Sequence, residues 1–179
     1  MRRPAVRAIV ALVLAALVLA ACDVATVETP PDPAAIPSGT IEPAGDDATG
    51  PVVELGSGTT GEIGWRYSIY PSGDAWCVQL ETATAHSALC GDPLPEEGKA
   101  FGLVAESEGQ VVDGTVSAET HTVWLVEERG GRVPALTMPL EGAGLEGKAF
   151  VGFVPDEMTL THLQAVASSG EVLETYELP

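Results

Sequence analysis

Nucleophilic hydrolysis needs a serine or cysteine with a base in reach, and this 179-residue chain offers no GxSxG elbow, SxxK pair or cysteine–histidine pairing. Its three histidines, His86, His121 and His162, lie far apart and form no HxH or HExxH pattern that would place two metal ligands on one element. Only convergence in space would make them a three-nitrogen zinc site. Carboxylate pairs at Glu96-Glu97, Glu127-Glu128 and Asp156-Glu157 have the chemistry for glycoside hydrolysis or calcium binding. Neighbouring residues on a strand face opposite ways, however, and no DxDxDG-type calcium loop is present. The pairs read as solvated turn charges, and the expectation is a protein with no catalytic residue, no cofactor and no metal. Aromatic side chains are the other chemical resource, because a tryptophan displayed on a sheet stacks on sugar faces or anchors a partner protein. Trp65 shares a strand face with Ile63 and Tyr67 and reads as core. Core packing is the first reading for Trp76 and Trp124 too, but Trp124, alternating with Thr122 and Val126, is the better binding candidate.

The elements that must position these residues are short. Glu62 to Tyr70 alternates Ile63, Trp65, Tyr67 and Ile69 with polar or small residues, the period of two of a half-buried strand. Pro71-Ser72-Gly73-Asp74 follows as a turn, and Trp76, Val78 and Leu80 alternate in a second strand, so the two are expected to form a hairpin. Further strands are predicted at 100–106, 110–116, 120–127, 133–140, 148–154, 159–167 and 171–178. Glycine-bearing connections at Glu128-Arg129-Gly130-Gly131 and Ser168-Ser169-Gly170 favour antiparallel neighbours. No helix-length amphipathic segment stands out. The fold class expected for residues 51–179 is therefore a single all-β domain, an antiparallel sandwich of immunoglobulin-like or related type. Gly98-Lys99-Ala100-Phe101 recurs as Gly147-Lys148-Ala149-Phe150, which reads as a repeated strand start rather than a duplicated half-domain. Residues 22–50 carry Thr29-Pro30-Pro31-Asp32-Pro33, Pro37 and Pro43 with almost no large apolar side chain, the composition of a disordered tether.

The chain begins with Arg2, Arg3 and Arg7 ahead of an apolar run from Ala8 to Ala21, the charged-then-apolar order of a secretory signal, too short to span a bilayer comfortably. At its end, Leu19-Ala20-Ala21-Cys22 resembles the lipobox of bacterial lipoproteins. That resemblance implies removal of residues 1–21, a diacylglyceryl group on the Cys22 thiol, and acylation (palmitate or a similar chain) of the new amino terminus. An ordinary cleaved signal, with Cys22 incidental, is the alternative. Asp23 resembles the signal that retains lipoproteins at the inner membrane of two-membrane bacteria. The implied place is extracytoplasmic, anchored to the bacterial cell membrane by lipid. In that compartment Cys77 and Cys90, with twelve residues between them and not a CxxC, are expected to form one disulfide. With Trp76-Cys77, Cys90-Gly91 and later glycine-punctuated hairpins, residues 61–173 also resemble uncharacterised extracytoplasmic domains of high-GC bacterial lipoproteins, which implies an all-β disulfide-bearing domain and no particular substrate.

Charge narrows the partners. The formal net charge is −18, and the first 21 residues hold three of the eight basic side chains and none of the 26 acidic ones. A surface this acidic repels nucleic acid and anionic headgroups, so no nucleic-acid partner is expected and a lipid would have to hold the protein at the membrane. The leading expectation is a membrane-anchored binding module for an envelope protein or polymer. The alternatives are a small-ligand or calcium sensor and, behind it, an envelope hydrolase.

Overall fold

A computed structural model describes residues 32, 34–45, 47–107 and 111–178. They form twelve strands, all paired antiparallel: β1 (Val53–Thr60), β2 (Ile63–Ser72), β3 (Ala75–Thr82), β4 (His86–Gly91), β5 (Phe101–Ser107), β6 (Val111–Val116), β7 (Thr120–Glu127), β8 (Arg132–Pro134), β9 (Leu136–Pro139), β10 (Lys148–Phe153), β11 (Leu160–Ala167) and β12 (Val172–Glu177). Three four-stranded sheets result: a first of order β1-β2-β3-β4, a second of order β5-β6-β10-β9 and a third of order β12-β11-β7-β8. The all-β antiparallel class and its single disulfide, Cys77 to Cys90, are as the sequence predicts. Its expected sandwich is made by the second and third sheets, and the first sheet adds another layer.

Alternation explains the layering. Along β10, Phe150 joins Val112, Val116, Val123, Leu125 and Leu163 in a core between the second and third sheets. Its neighbours Ala149 and Val151 join Trp65, Tyr67, Ile69, Val78 and Leu80 in a second core against the first sheet. The central sheet is thus buried on both faces, which is why its strands read as near-continuous apolar runs. The repeated tetrapeptides start β5 and β10, the strands that flank β6, with Gly98 and Gly147 at φ +80° and +133°. Phe101 and Phe150 meet edge to face in the same core, ring centres 6.0 Å apart.

The second and third sheets share a corner. β8 and β9 are one run of chain broken only at Ala135, whose N–H donates to the Val123 carbonyl. β8 pairs with β7 of the third sheet and β9 with β10 of the second. The two sheets therefore form an open barrel whose seam lies between β5 and β12.

Two strands of the first sheet went unpredicted. β1 holds Gly56 and Gly58, poor strand formers that are needed here. A Cβ at Gly56 would lie 3.0 Å from Met138 Sδ, and one at Gly58 would lie 3.2 Å from the Trp65 indole. β4 is short and lacks a bulky apolar face, and Cys90 sits directly opposite Cys77 on β3. The bridge thus pins a neighbouring strand on the face away from Trp76. In the hairpin between β2 and β3, Pro71 and Ser72 belong to the strand, and only Gly73, at φ +61°, and Asp74 turn the chain.

Over its described part, Asp32, 34–45 and 47–50, the proline-rich stretch lies as a strap across the outer face of the first sheet. Polar side chains hold it, together with main-chain pairing of Ala48 with Ser72 and of the Thr49 N–H with the Pro71 carbonyl. The buried amide of Gln79 donates from Nε2 to the Glu42 carbonyl at 2.9 Å and accepts from the Ala44 N–H at 2.8 Å. Arg66, buried and paired with Glu81, donates from Nη1 to the Gly39 carbonyl. Gly64 leaves room for the strap, since a Cβ there would sit 2.2 Å from the Ala35 carbonyl oxygen. Composition alone misses this because the strap's partners are two side chains of distant strands.

Candidate binding site

The outward face of the third sheet carries Trp124. β7 places it in register with Pro134 on β8 and Gln164 on β11, with Thr122 and Val126 before and after it on the same face. Trp124 is half-buried, unlike Trp65, which is core and bonds from Nε1 to Thr60 Oγ1. Trp76 packs partly buried against the core beneath the first sheet. Arg132, diagonal to Trp124 across the β7–β8 pair, sets its guanidinium carbon 4.6 Å from the indole centre. Such a contact is worth about 0.5–1 kcal/mol at an exposed site and fixes the orientation of the ring.

The rest of the face is hydrogen-bonding rather than charged. His162 lies half-buried on β11, its Nδ1 3.0 Å from Thr161 Oγ1 and its Nε2 3.5 Å from the Gln164 amide nitrogen. β7 from Thr120 to Val126 and the whole of β11 hold no carboxylate, although the chain carries 26. Glu177 of β12 enters this face, opposite His162. An indole, an amide, an imidazole and hydroxyls on a rigid sheet can stack and hydrogen-bond a neutral or anionic surface without the repulsion the rest of the molecule imposes.

No protein-family model, characterised protein or solved structure matches the chain. His86 and His121 are exposed on β4 and β7, apart from His162, and among the described residues no three histidine, cysteine or acidic side chains could hold a metal ion. Glu96-Glu97 and Asp156-Glu157 are exposed in connections, and Glu127-Glu128 ends β7. No helix among the described residues is long and apolar enough to cross a membrane. The signal segment 1–21 and the lipidation candidate Cys22 lie outside the described residues.

Two carboxylates that sequence reasoning passed over have defined roles in the fold. Asp113 of β6 faces the first sheet and accepts a 2.8 Å hydrogen bond from the Tyr67 hydroxyl. Burial pushes its pKa up to about 6, partly offset by that bond, while burial and the adjoining carboxylate push the Tyr67 phenol well above its ordinary value. A raised carboxyl is what a general acid needs, but Asp113 is only 4% exposed and Tyr67 fully enclosed, so the pair is sealed between two sheets. Its signal was a lone carboxylate inside the apolar run Val111-Val112-Asp113-Gly114-Thr115-Val116. Glu174 of β12 accepts from the N–H groups of Ala100 and Phe101, at 2.6 and 3.0 Å, and lies 3.4 Å from Lys99 Nζ. Partial burial opposes its ionisation, yet the two backbone donors and Lys99 prevail and lower its pKa. No local pattern announces that contact, because its partners lie more than seventy residues away.

Proposed function

We propose that this chain is an extracytoplasmic lipoprotein, anchored to the bacterial cell membrane through Cys22, that binds an envelope protein or polymer through the outward face of the third sheet. The observation that carries the reading is Trp124, half-exposed on a sheet face where β7 from Thr120 to Val126 and the whole of β11 hold no carboxylate, in a strongly acidic chain. The lipobox-like segment supports the anchor. A rigid antiparallel scaffold supports binding, since it holds an aromatic platform without moving parts.

The test is proximity cross-linking of the full-length protein in intact cells, with a tether-only control protein and the Trp124→Ala variant alongside. A specific neighbour captured by the folded domain, lost with the tether alone and reduced in Trp124→Ala, is the expected result. Equal capture by wild type and Trp124→Ala would remove the face assignment. Mass spectrometry of the same material is expected to find diacylglyceryl on Cys22. An unmodified mature amino terminus would remove the anchor.

A further inference from the structure

We propose that the seam between β5 and β12, two strands away from Trp124, is a strand-addition site for an extended, basic polypeptide segment. The argument begins with strand parity. Counting β8 and β9 as the one run they form, the open barrel has seven strands in the order β5, β6, β10, β9/β8, β7, β11, β12, each antiparallel to the next. Seven alternating directions leave the first and last strands pointing the same way. β5 and β12 meet at the seam as parallel neighbours with no ladder between them, and an eighth strand antiparallel to both would complete the alternation.

Backbone groups are in place to receive one. Leu178 donates to the Thr161 carbonyl, so alternation along β12 turns the N–H and C=O of Thr175 and Glu177 away from β11 and into the seam. Across the gap, the consecutive N–H groups of Ala100 and Phe101, at the start of β5, are both held by one oxygen of the Glu174 carboxylate, which closes that end of the seam and leaves the edge of β12 at Thr175 and Glu177 as the one open to an added strand. Beside it runs a groove of about 700 Å³ with Leu94, Phe101 and Tyr176 as its apolar surfaces and Glu96 and Glu177 among its acidic ones. Leu94 is an exposed large hydrophobic residue. Glu96 and Glu177 carry no ion pair among the described residues, and the groove's one cation, Lys99, is already against Glu174. Main-chain hydrogen bonds would give affinity, while alternate side chains would meet apolar and acidic positions in turn, which selects a segment alternating apolar and basic residues.

The probe is a fluorescent octapeptide of four lysine–valine repeats, titrated against the full chain, with four glutamate–valine repeats as control and amide hydrogen exchange as the map. The basic peptide is expected to bind, the acidic one not, and the Thr175 and Glu177 amides to become protected. Thr175→Pro removes only a seam-facing N–H at an edge strand, so it is expected to weaken binding at least about tenfold while leaving the unfolding midpoint nearly unchanged. Glu177→Lys, on an exposed side chain, is expected to weaken it as well, and Trp124→Ala to leave it intact. No binding of the basic peptide, equal binding of both peptides, protection at another strand edge, or unchanged affinity in both seam variants would each overturn the proposal.

Discussion

Replacing Asp113 with asparagine should stabilise the protein in a strongly pH-dependent way. Asp113 titrates at about 6 in the fold against an ordinary 3.8, because it is buried between the first and second sheets. A folded pKa above the unfolded one means that stability is fully present below about pH 4 and is lost as pH rises through 6. The shift of about two units corresponds to roughly 3 kcal/mol between those limits, at about 1.4 kcal/mol per unit. In Asp113→Asn the side chain would keep a carbonyl oxygen for the Tyr67 hydroxyl and would never ionise. Its amide N–H groups need partners in the same place, at a cost on the order of 1 kcal/mol. The variant is therefore expected to be more stable than wild type by about 1–2 kcal/mol at pH 8, and to be equal or slightly less stable at pH 4. Urea unfolding midpoints of both proteins from pH 4 to 8 give the answer, and their difference is the informative quantity. Glu174, with its lowered pKa, contributes stability above its ordinary value that is lost on acidification, but it contributes equally to both proteins and cancels. A wild-type-to-variant difference that stays flat from pH 4 to 8 would refute the reasoning, since the carboxylate would then carry no ionisation cost in the core.

Three other outcomes follow from the packing. Cys77→Ser opens the Cys77–Cys90 bridge between β3 and β4 and should lower stability by about 3 kcal/mol, as loop closure implies, measured by urea unfolding under oxidising conditions; no change would mean that the bridge contributes nothing. Gly152→Ala places a methyl 2.6 Å from a Leu125 methyl inside the barrel core and should cost about 1–3 kcal/mol in thermal melts, whereas an unchanged Tm would show that Leu125 moves aside freely. Gln79→Ala removes both hydrogen bonds to Glu42 and Ala44 and should speed proteolysis and amide exchange across residues 34–45, with exchange in β10 and β11 unchanged; equal slowing or speeding everywhere would mean that the strap and sheets open as one unit.

What could be read in the sequence was what alternation and turn chemistry encode. The nine segments read as strands recur as β2, β3 and β5 to β12, with Val133 to Leu140 resolved into the two pieces of the shared corner. Trp65 was recognisable as core because its alternation partners are apolar. β1 and β4 were hidden because their residues answer to tertiary neighbours: Gly56 and Gly58 yield to Met138 and Trp65, and β4 is held by a covalent bond instead of an apolar face. The third layer was hidden for a related reason, since an apolar run marks a strand as doubly buried without saying what covers each side. Trp124 stood out as a residue type with binding chemistry, but its Arg132 neighbour was invisible until β8 was laid beside β7. The seam is a property of strand count and direction, which no local pattern records.

The strap across the first sheet sets how this domain would take a mechanical load. If the proposed anchor is at Cys22, a pull from the membrane would reach Asp32 across at most ten residue steps, about 35 Å fully extended. Force then meets the hydrogen bonds of Gln79 and Arg66 to the strap before it reaches any strand ladder. These few bonds act as a fuse. Once they part, the chain from 32 to 47 is released up to the Ala48–Ser72 bridge and can extend to at most about 50 Å while all three sheets stay folded. Under the proposed function, an envelope that swells or shears would lengthen this leash before it loads the third sheet.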